Sequence, residues 1–428
     1  MGDMSSVAID ELIVGRRLTG PIHDRSGVLL LAAGGTITTE NLDRIKARDI
    51  QVVLMHAEDA KRATASEMNA PAVSSLVEDQ ASINERIASL VQGGPAFVNR
   101  GPSLCHSIVR HGCKRYDPGV RAKAIHVKKE CERAVEHVTN VATTGEDVDG
   151  DVVVNAAAAE IEMLKVDLEN TLTSAFESGD DATIAEHSLK NAILGMSIGI
   201  ELGLDQENTR TVGVAGCLQD LGMSQLSSEI RYPTRSLTLS EELELQKVPG
   251  RTVDALERMH DIPHVVRLIV YQVHERPDGS GYPRGLTRQA IHVCARTLQV
   301  SNAYVEMTSA TQHRAALMPY SAMHSLVQQA STGRVDADVV RTMLHVTSLY
   351  PIGSFVTLSD SSVAQVLRSN GPSFTQPIVT RLVTAEGQPV ESDDDENVID
   401  LLQTELKIVQ ALPTPGRNEV AEINSLQN

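Results

Sequence analysis

Between positions 274 and 278 the chain presents His274, Glu275, Arg276 and Asp278. Neutral imidazole and carboxylate suit divalent metal ions, and an arginine fork suits phosphate. Gly279 and Gly281 follow, both able to take positive φ at little cost, and Tyr282-Pro283 closes the stretch. Proline fixes its own φ and pushes the residue before it towards extended geometry. Upstream, Val265 to Val273 carries a helical apolar pattern. A helix is therefore expected to deliver His274 to the mouth of a stiff, sharply folded loop.

The elements that must hold this loop are mostly helices. Ile184 to Leu202 reads as one, and Asp205 caps the next, which runs towards Gln219. Thr238-Leu239-Ser240-Glu241 is a capping box that opens a third helix, which Pro249-Gly250 kinks or splits before Thr252 to Met259 continues. Pro263 to His274 and Gln289 to Ser309 complete an α-helical bundle. Three strands, Ser354 to Leu358, Val363 to Leu367 and Ile378 to Leu382, follow it, separated by turn residues.

Ahead of the bundle, residues 7–56 read as a small α+β unit. Val28 to Ala32 is a strand ended by Gly34-Gly35, a short helix opens at Thr39, and Ile50 to Met55 is a second strand. Leu76, Ile83, Ile87 and Leu90 have helical spacing, broken at Gly93-Gly94-Pro95. Cys105-His106 and His111-Gly112-Cys113 match no zinc spacing and read as ordinary helix residues. Gly145 to Asp151 is an acidic hinge without the downstream Glu of a calcium loop. From Val152 to Phe176, Ile161, Leu164, Leu168, Leu172 and Phe176 predict one long amphipathic helix, able to join two domains or pair with a copy of itself.

Composition narrows the function. A net charge of -18 argues against nonspecific binding to nucleic acid or to an anionic membrane surface. Trp is absent and aromatics are 3%, so base-stacking platforms are nearly excluded. No run reaches the roughly 20 apolar residues of a membrane helix, and no signal peptide opens the chain. Five scattered Cys, an odd number, read as reduced thiols in a cytoplasmic protein.

The stretch 273–283, with Arg284-Gly285-Leu286 after it, resembles the signature of the HD-GYP family, His-His-Glu-x-x-Asp-Gly-x-Gly-Tyr-Pro. The loop residues Asp278, Gly279, Gly281, Tyr282 and Pro283 all match, while the first His of the pair is Val273. The resemblance implies a mainly α protein: an HD-type all-α helical bundle with a small N-terminal α+β domain and a small C-terminal β appendage. The expected order is an α+β domain at 1–58, a helical or linker region at 59–180 ending in a long helix, and the HD-GYP domain at 181–348. The β appendage at 349–390 and an acidic, partly disordered tail at 391–428 follow.

HD-type phosphohydrolases, as a family, hold two or three metal ions through His and Asp residues. The resemblance carries this over to His187, Asp220 and His274 as surviving ligands, and each also reads as an ordinary hydrogen-bonded core or rim residue. At the other ligand positions stand Gln219, Val248, Val273 and Asn302, and Met223 replaces the phosphate-side Lys. Valine has no lone pair to offer and a neutral amide is a poor ligand. The implied cofactor content is none, or at most one weakly bound manganese or iron ion. Arg314, Arg284 and Lys247 are candidate ligand-binding cations, with Arg276 and Arg288 nearby, although such residues are commonly solvated surface.

The resemblance further implies cyclic di-GMP as ligand and a diguanylate cyclase (GGDEF) domain as a candidate partner, with a homodimer through the 152–176 helix. The reading that follows is a non-hydrolytic pseudo-phosphodiesterase acting by partner binding or cyclic di-GMP sensing. The alternative is an active metal-dependent cyclic di-GMP phosphodiesterase with an altered metal site.

Overall fold

The computed structural model describes residues 98–421 except 145–146, 178–182, 311–313 and 391–394. It also describes residues 4–60 except 10–11, 13–17, 19, 25–26, 34–36, 38, 49 and 57–58. Gly34-Gly35, the helical spacing from Leu76 to Leu90, Gly93-Gly94-Pro95, Gly145 and Glu391 to Asp394 lie outside the described residues. The protein is mainly α, with small sheets towards both ends of the chain.

The N-terminal unit is a four-stranded sheet in the order β1-β4-β2-β3, built from Met4–Ala8, Ile22–His23, Leu29–Leu31 and Val52–His56. Helix α1, Thr39–Lys46, accompanies it. Alternating burial in β4 places Val53 and Met55 in a small core with Ile22, Ile37 and Ile45. The first strand, polar at Ser5 and Ser6, went unread in the sequence.

The main body is a helical bundle. Its helices before the loop are α2 (Pro118–Thr144), α3 (Asp151–Val166), α4 (Leu168–Phe176), α5 (Ile184–Glu201) and α6 (Gln206–Leu218). Then come α7 (Ser228–Arg231), α8 (Leu239–Leu245), α9 (Val248–Leu256) and α10 (His264–Gln272). After the loop come α11 (Val293–Thr308), α12 (Pro319–Ser331) and α13 (Ala337–Thr347). Two caps fall where the sequence put them: Asp205 caps α6, and Thr238 with Glu241 caps α8. A further capping box on α5, Thr183 with Glu186, went unread in the sequence. Pro249 sits in the first turn of α9 and splits it from α8.

Helix α5 is the centre of the bundle, buried almost throughout from Ser188 to Ile200. A Cβ added at Gly216 of α6 would stand 2.7 Å from the backbone of Ala192, so glycine there lets α6 lie directly on α5. That contact sets the end of α6, and with it Asp220, beside the start of α5 and His187.

Three expectations are corrected. The single helix from Val152 to Phe176 is two, α3 and α4, because Asp167 between them is extended at φ -157 and ψ 97 and its side chain caps α4 by accepting from Asn170 N. Every residue of α4 from Leu168 to Ala175 is buried in this chain, so the stretch presents no continuous apolar face for a second copy. The acidic hinge is partly ordered as well: β5, Val148–Asp149, pairs in parallel with β6, Met259–His260.

The third correction concerns the chain end. Strands β8 (Phe355–Leu358), β9 (Val363–Arg368) and β10 (Ile378–Val383) form an antiparallel sheet. The residues expected as tail complete it on both sides: β11 (Val398–Asp400) pairs with β10, and β12 (Ile408–Leu412) pairs with β8. Strand β13, Glu419–Val420, lies parallel to β7, Ala316–Leu317. Leu401, Ile408 and Ala411 are buried in the core shared with the bundle, and burial of those apolar residues is what orders the segment. Among the described residues no helix is long and apolar enough to cross a membrane.

Candidate functional site

The loop after α10 is built around Glu275. Its carboxylate is fully buried and accepts from the backbone N–H groups of Arg284 and Leu286, each at 2.7 Å. Tyr282 N donates to His274 O at 3.1 Å, closing the loop back on the helix end. A Cβ at Gly281 would stand 2.2 Å from Arg276 N, so only glycine lets the two limbs meet, and Gly279 takes φ +80. Asp278 accepts from Ser280 N at 2.9 Å and Ser280 Oγ at 2.7 Å. Partial burial works against its ionisation, but those bonds outweigh it and hold the carboxyl below its ordinary value.

This construction presents two rings. His274 and Tyr282 stack with centroids 5.0 Å apart and planes 5° apart. Both line a cavity of about 310 Å³, together with His187, Asp220, Met223 and Val248. The structure therefore brings the three expected ligand residues into one cavity, beside Val248, where the resemblance implies a lost ligand, and Met223, where it implies a lost phosphate-side Lys. His274 Nε2 is buried there and has no hydrogen-bond partner.

Behind the cavity wall a network of amides ties the helices. Asn302 Oδ1 on α11 accepts from His187 Nε2 and from Gln219 Nε2, both at 2.9 Å. Gln219 Nε2 also reaches Asp220 Oδ2 at 3.1 Å, and Asn302 Nδ2 donates to Glu306 Oε1 at 2.7 Å. Asn302 is thus satisfied by His187, Gln219 and Glu306, while Gln219 spends Nε2 on Asn302 and Asp220 and keeps Oε1 buried without a partner. Val273 is buried in the core, 1% exposed.

Two charged lining residues went unread in the sequence. Glu306 lies one turn beyond Asn302 on α11, and Arg231 ends α7. The helical spacing from Asn302 is a signal that could have found Glu306; Arg231 reaches the site only through the path of the chain between α6 and α8. Arg314 lines the cavity as expected, its guanidinium donating to Ser309 O at 3.3 Å and to Glu306 O. Burial holds it below its ordinary value, the Glu306 carboxylate offsetting only part of the effect.

The other expected cations lie elsewhere. Lys247 pairs with Glu244, and neither Lys247 nor Arg284 lines the cavity. Arg288 is held by Asp336 and Asp338.

Two imidazoles, one of them with an unpartnered buried Nε2, and a carboxylate have the right chemistry for one divalent ion. Four of the family positions carry amides or valines, so a bridged pair does not fit. The three donors line the cavity without all lying within 4.8 Å of one another. Among the described residues only the exposed trio Asp149, Asp151 and Asp261 does so.

An HD domain family profile matches residues 178–339. The chain is similar to a cyclic di-GMP phosphodiesterase of Pseudomonas aeruginosa, 26% identical over 202 residues, 47% of this chain and 48% of the relative. It is similar to a cyclic di-GMP phosphodiesterase of Borreliella burgdorferi, 23% identical over 239 residues, 56% of this chain and 62% of the relative. A 3'3'-cGAMP-specific phosphodiesterase of Vibrio cholerae is 29% identical over 165 residues, 39% of this chain and 38% of the relative. The chain spans about half the length of these curated relatives. Their names correct one expectation: the inference from substituted ligands to a non-enzyme is overturned by relatives that are named phosphodiesterases, so the comparison points to an enzyme.

Proposed function

The chain belongs to the HD-GYP family, its HD domain spanning residues 178–339, and from that membership we propose that the protein is a cyclic-dinucleotide phosphodiesterase working with an altered, reduced metal site. The observation that carries this is the buried, unpartnered Nε2 of His274, a residue that lines one cavity with His187 and Asp220. A buried polar atom without a partner costs free energy, and a bound ligand would relieve that cost.

His187, Asp220 and His274 would hold one manganese or iron ion, with Glu306 on the same wall. Such an ion supplies Lewis acidity and water ionised near neutral pH. The rest falls to this chain's own groups. Arg314 and Arg231 line the cavity and would take the phosphate oxygens, Arg231 with a buried Nε that has no partner. Arg231 then does the work that the uncharged Met223 cannot. The Tyr282 ring keeps the His274 imidazole in one orientation by stacking. The amide pair Gln219 and Asn302 holds His187 and Asp220 in register from behind.

The test is incubation of the full chain with manganese or iron and either cyclic di-GMP or 3'3'-cGAMP, following linear dinucleotide. Turnover that Asp220→Asn and His274→Ala each abolish is the expected result, with about one metal per chain by elemental analysis. No product with either metal, or product unchanged in Asp220→Asn, overturns the proposal.

A further inference from the structure

A second cavity, of about 280 Å³, lies between the bundle and the C-terminal sheet and shares no lining residue with the site described above. The chain has only four Phe and seven Tyr, yet Phe176 of α4, Tyr304 of α11 and Phe355 of β8 all line this space. Phe176 and Tyr304 meet edge to face, with ring centroids 5.8 Å apart. Leu172 and Leu194 add apolar wall. The volume is roughly twice that of a cavity that admits benzene, so it suits a ligand of about ten to twelve non-hydrogen atoms.

Two polar groups on this wall have unused capacity. Tyr304 is 5% exposed, and its hydroxyl makes no hydrogen bond among the described residues. Burial raises its pKa, Glu419 adding to the effect and Arg417 opposing it, so the hydroxyl keeps its proton and can donate. Arg417 is half-buried and donates to Phe176 O at 2.6 Å and to Glu177 O at 3.4 Å. Among the described residues no carboxylate pairs with it. Most of the other polar side chains here are engaged. Thr308 and Thr347 donate their hydroxyls to Tyr304 O and Met343 O, Gln365 donates to Gly353 O, and Glu177 pairs with Arg121.

We propose that this cavity is a binding site for a small aromatic monocarboxylate, its ring among Phe176, Leu194 and Phe355 and its carboxylate held by Arg417 and the Tyr304 hydroxyl. A guanidinium and a phenol are donors, and a carboxylate accepts from both through its two oxygens. A neutral head would leave the half-buried Arg417 without an opposite charge. Edge and face contacts with three rings favour an aromatic body over an aliphatic one of equal size. The site stands independently of the phosphodiesterase reading. Helices α4 and α11 belong to the bundle, whereas Phe355 and Arg417 belong to the C-terminal sheet and the segment after it, so an occupant ties the two together.

The experiment is calorimetric titration of the full chain with 3-phenylpropionate, in wild type, Tyr304→Phe and Arg417→Gln, with 3-phenylpropanol and octanoate as comparison ligands. Thermal unfolding checks that each variant is folded. Wild type is expected to bind one 3-phenylpropionate per chain, with Kd about millimolar or tighter. Each variant should weaken it about tenfold, the worth of a hydrogen bond to a charged group. The neutral alcohol should bind wild type about tenfold more weakly than the acid. Octanoate, with the same head and no ring, should bind about threefold more weakly. Tyr304→Phe is the decisive variant, because the oxygen it removes has no partner in the protein to lose. No saturable binding, or an unchanged affinity in Tyr304→Phe, overturns the site. Alcohol binding as tight as that of the acid overturns the anionic head, and octanoate binding as tight overturns the aromatic body.

Discussion

His187 Nε2 lies 2.9 Å from Asn302 Oδ1, an imidazole on α5 donating to an amide on α11. The same oxygen takes a second donor, Gln219 Nε2, so two helices converge on one atom of the third. Asn302 passes the connection on through Nδ2 to Glu306.

Asn302→Asp tests what that amide does. The acceptor survives, but the donor to Glu306 becomes a second carboxylate beside it. Without metal the variant should lose about 1–3 kcal/mol from the missing bond and like-charge repulsion. With manganese it should regain stability, since an added carboxylate suits the ion. Thermal unfolding with and without manganese measures this. A manganese-induced rise in Tm no larger than that of wild type would show that position 302 does not face the ion.

The loop depends on one carboxylate. Glu275→Gln replaces an acceptor of two backbone N–H groups with an amide that offers one oxygen and a competing NH2. Unfolding in urea should show a loss of about 2–3 kcal/mol. Gly281→Ala should cost more, because its Cβ meets backbone at 2.2 Å and not a movable side chain. Near-wild-type stability in both would mean the loop is held by other contacts.

Arg368 fastens the C-terminal sheet to the bundle. It is 1% exposed, pairs with Asp167 at 2.8 and 3.0 Å and Glu169 at 3.2 Å, and lies 4.8 Å over the Tyr116 ring. Arg368→Met leaves two carboxylates buried without their cation, a loss of about 3–5 kcal/mol. Limited proteolysis should then cut near Tyr350, where the wild type resists. Equal resistance in the two proteins would show that apolar packing alone holds the sheet.

Glu160 makes stability depend on pH. It is buried on α3, and burial raises its pKa to about 7, the Cys131 thiol and then Lys128 offsetting part of the effect. The folded state therefore holds a proton that the unfolded chain releases near 4.5. Between those values the native state binds more protons, so this group's contribution falls as pH rises from about 4.5 to 7 and is level above that. Glu160→Gln should match wild type near pH 4.5 and exceed it at pH 8, by an amount on the order of a few kcal/mol. Denaturation midpoints across that range decide it, and a constant difference between the two proteins would mean Glu160 does not titrate in this window.

Local features were legible because their causes are local. Asp205 and Thr238 cap helices through atoms three residues on, and the Asp278-to-Pro283 loop is written in residues whose backbone freedom or rigidity belongs to each by itself. His187, Asp220 and His274 could be named as a set through resemblance, and the fold does line one cavity with them. What stayed hidden depends on atoms far apart in the chain. Asp167 breaks the helix at Val166 while its partner Arg368 sits 201 positions away, and the apolar spacing on either side carries no trace of that pairing. The segment from Val398 to Leu412 follows an acidic run and reads as tail, although nine of its fifteen residues are apolar; it becomes strand because the edges of β10 and β8 offer it hydrogen bonds and a core to enter. Glu306 and Arg231 join the site, and Lys247 and Arg284 leave it, because helices pressed together at Gly216 and Ala192 decide which side chains share a space. Spacing along a chain sets which face of a helix a residue occupies; only the packing of that helix on its neighbours sets what the face looks into.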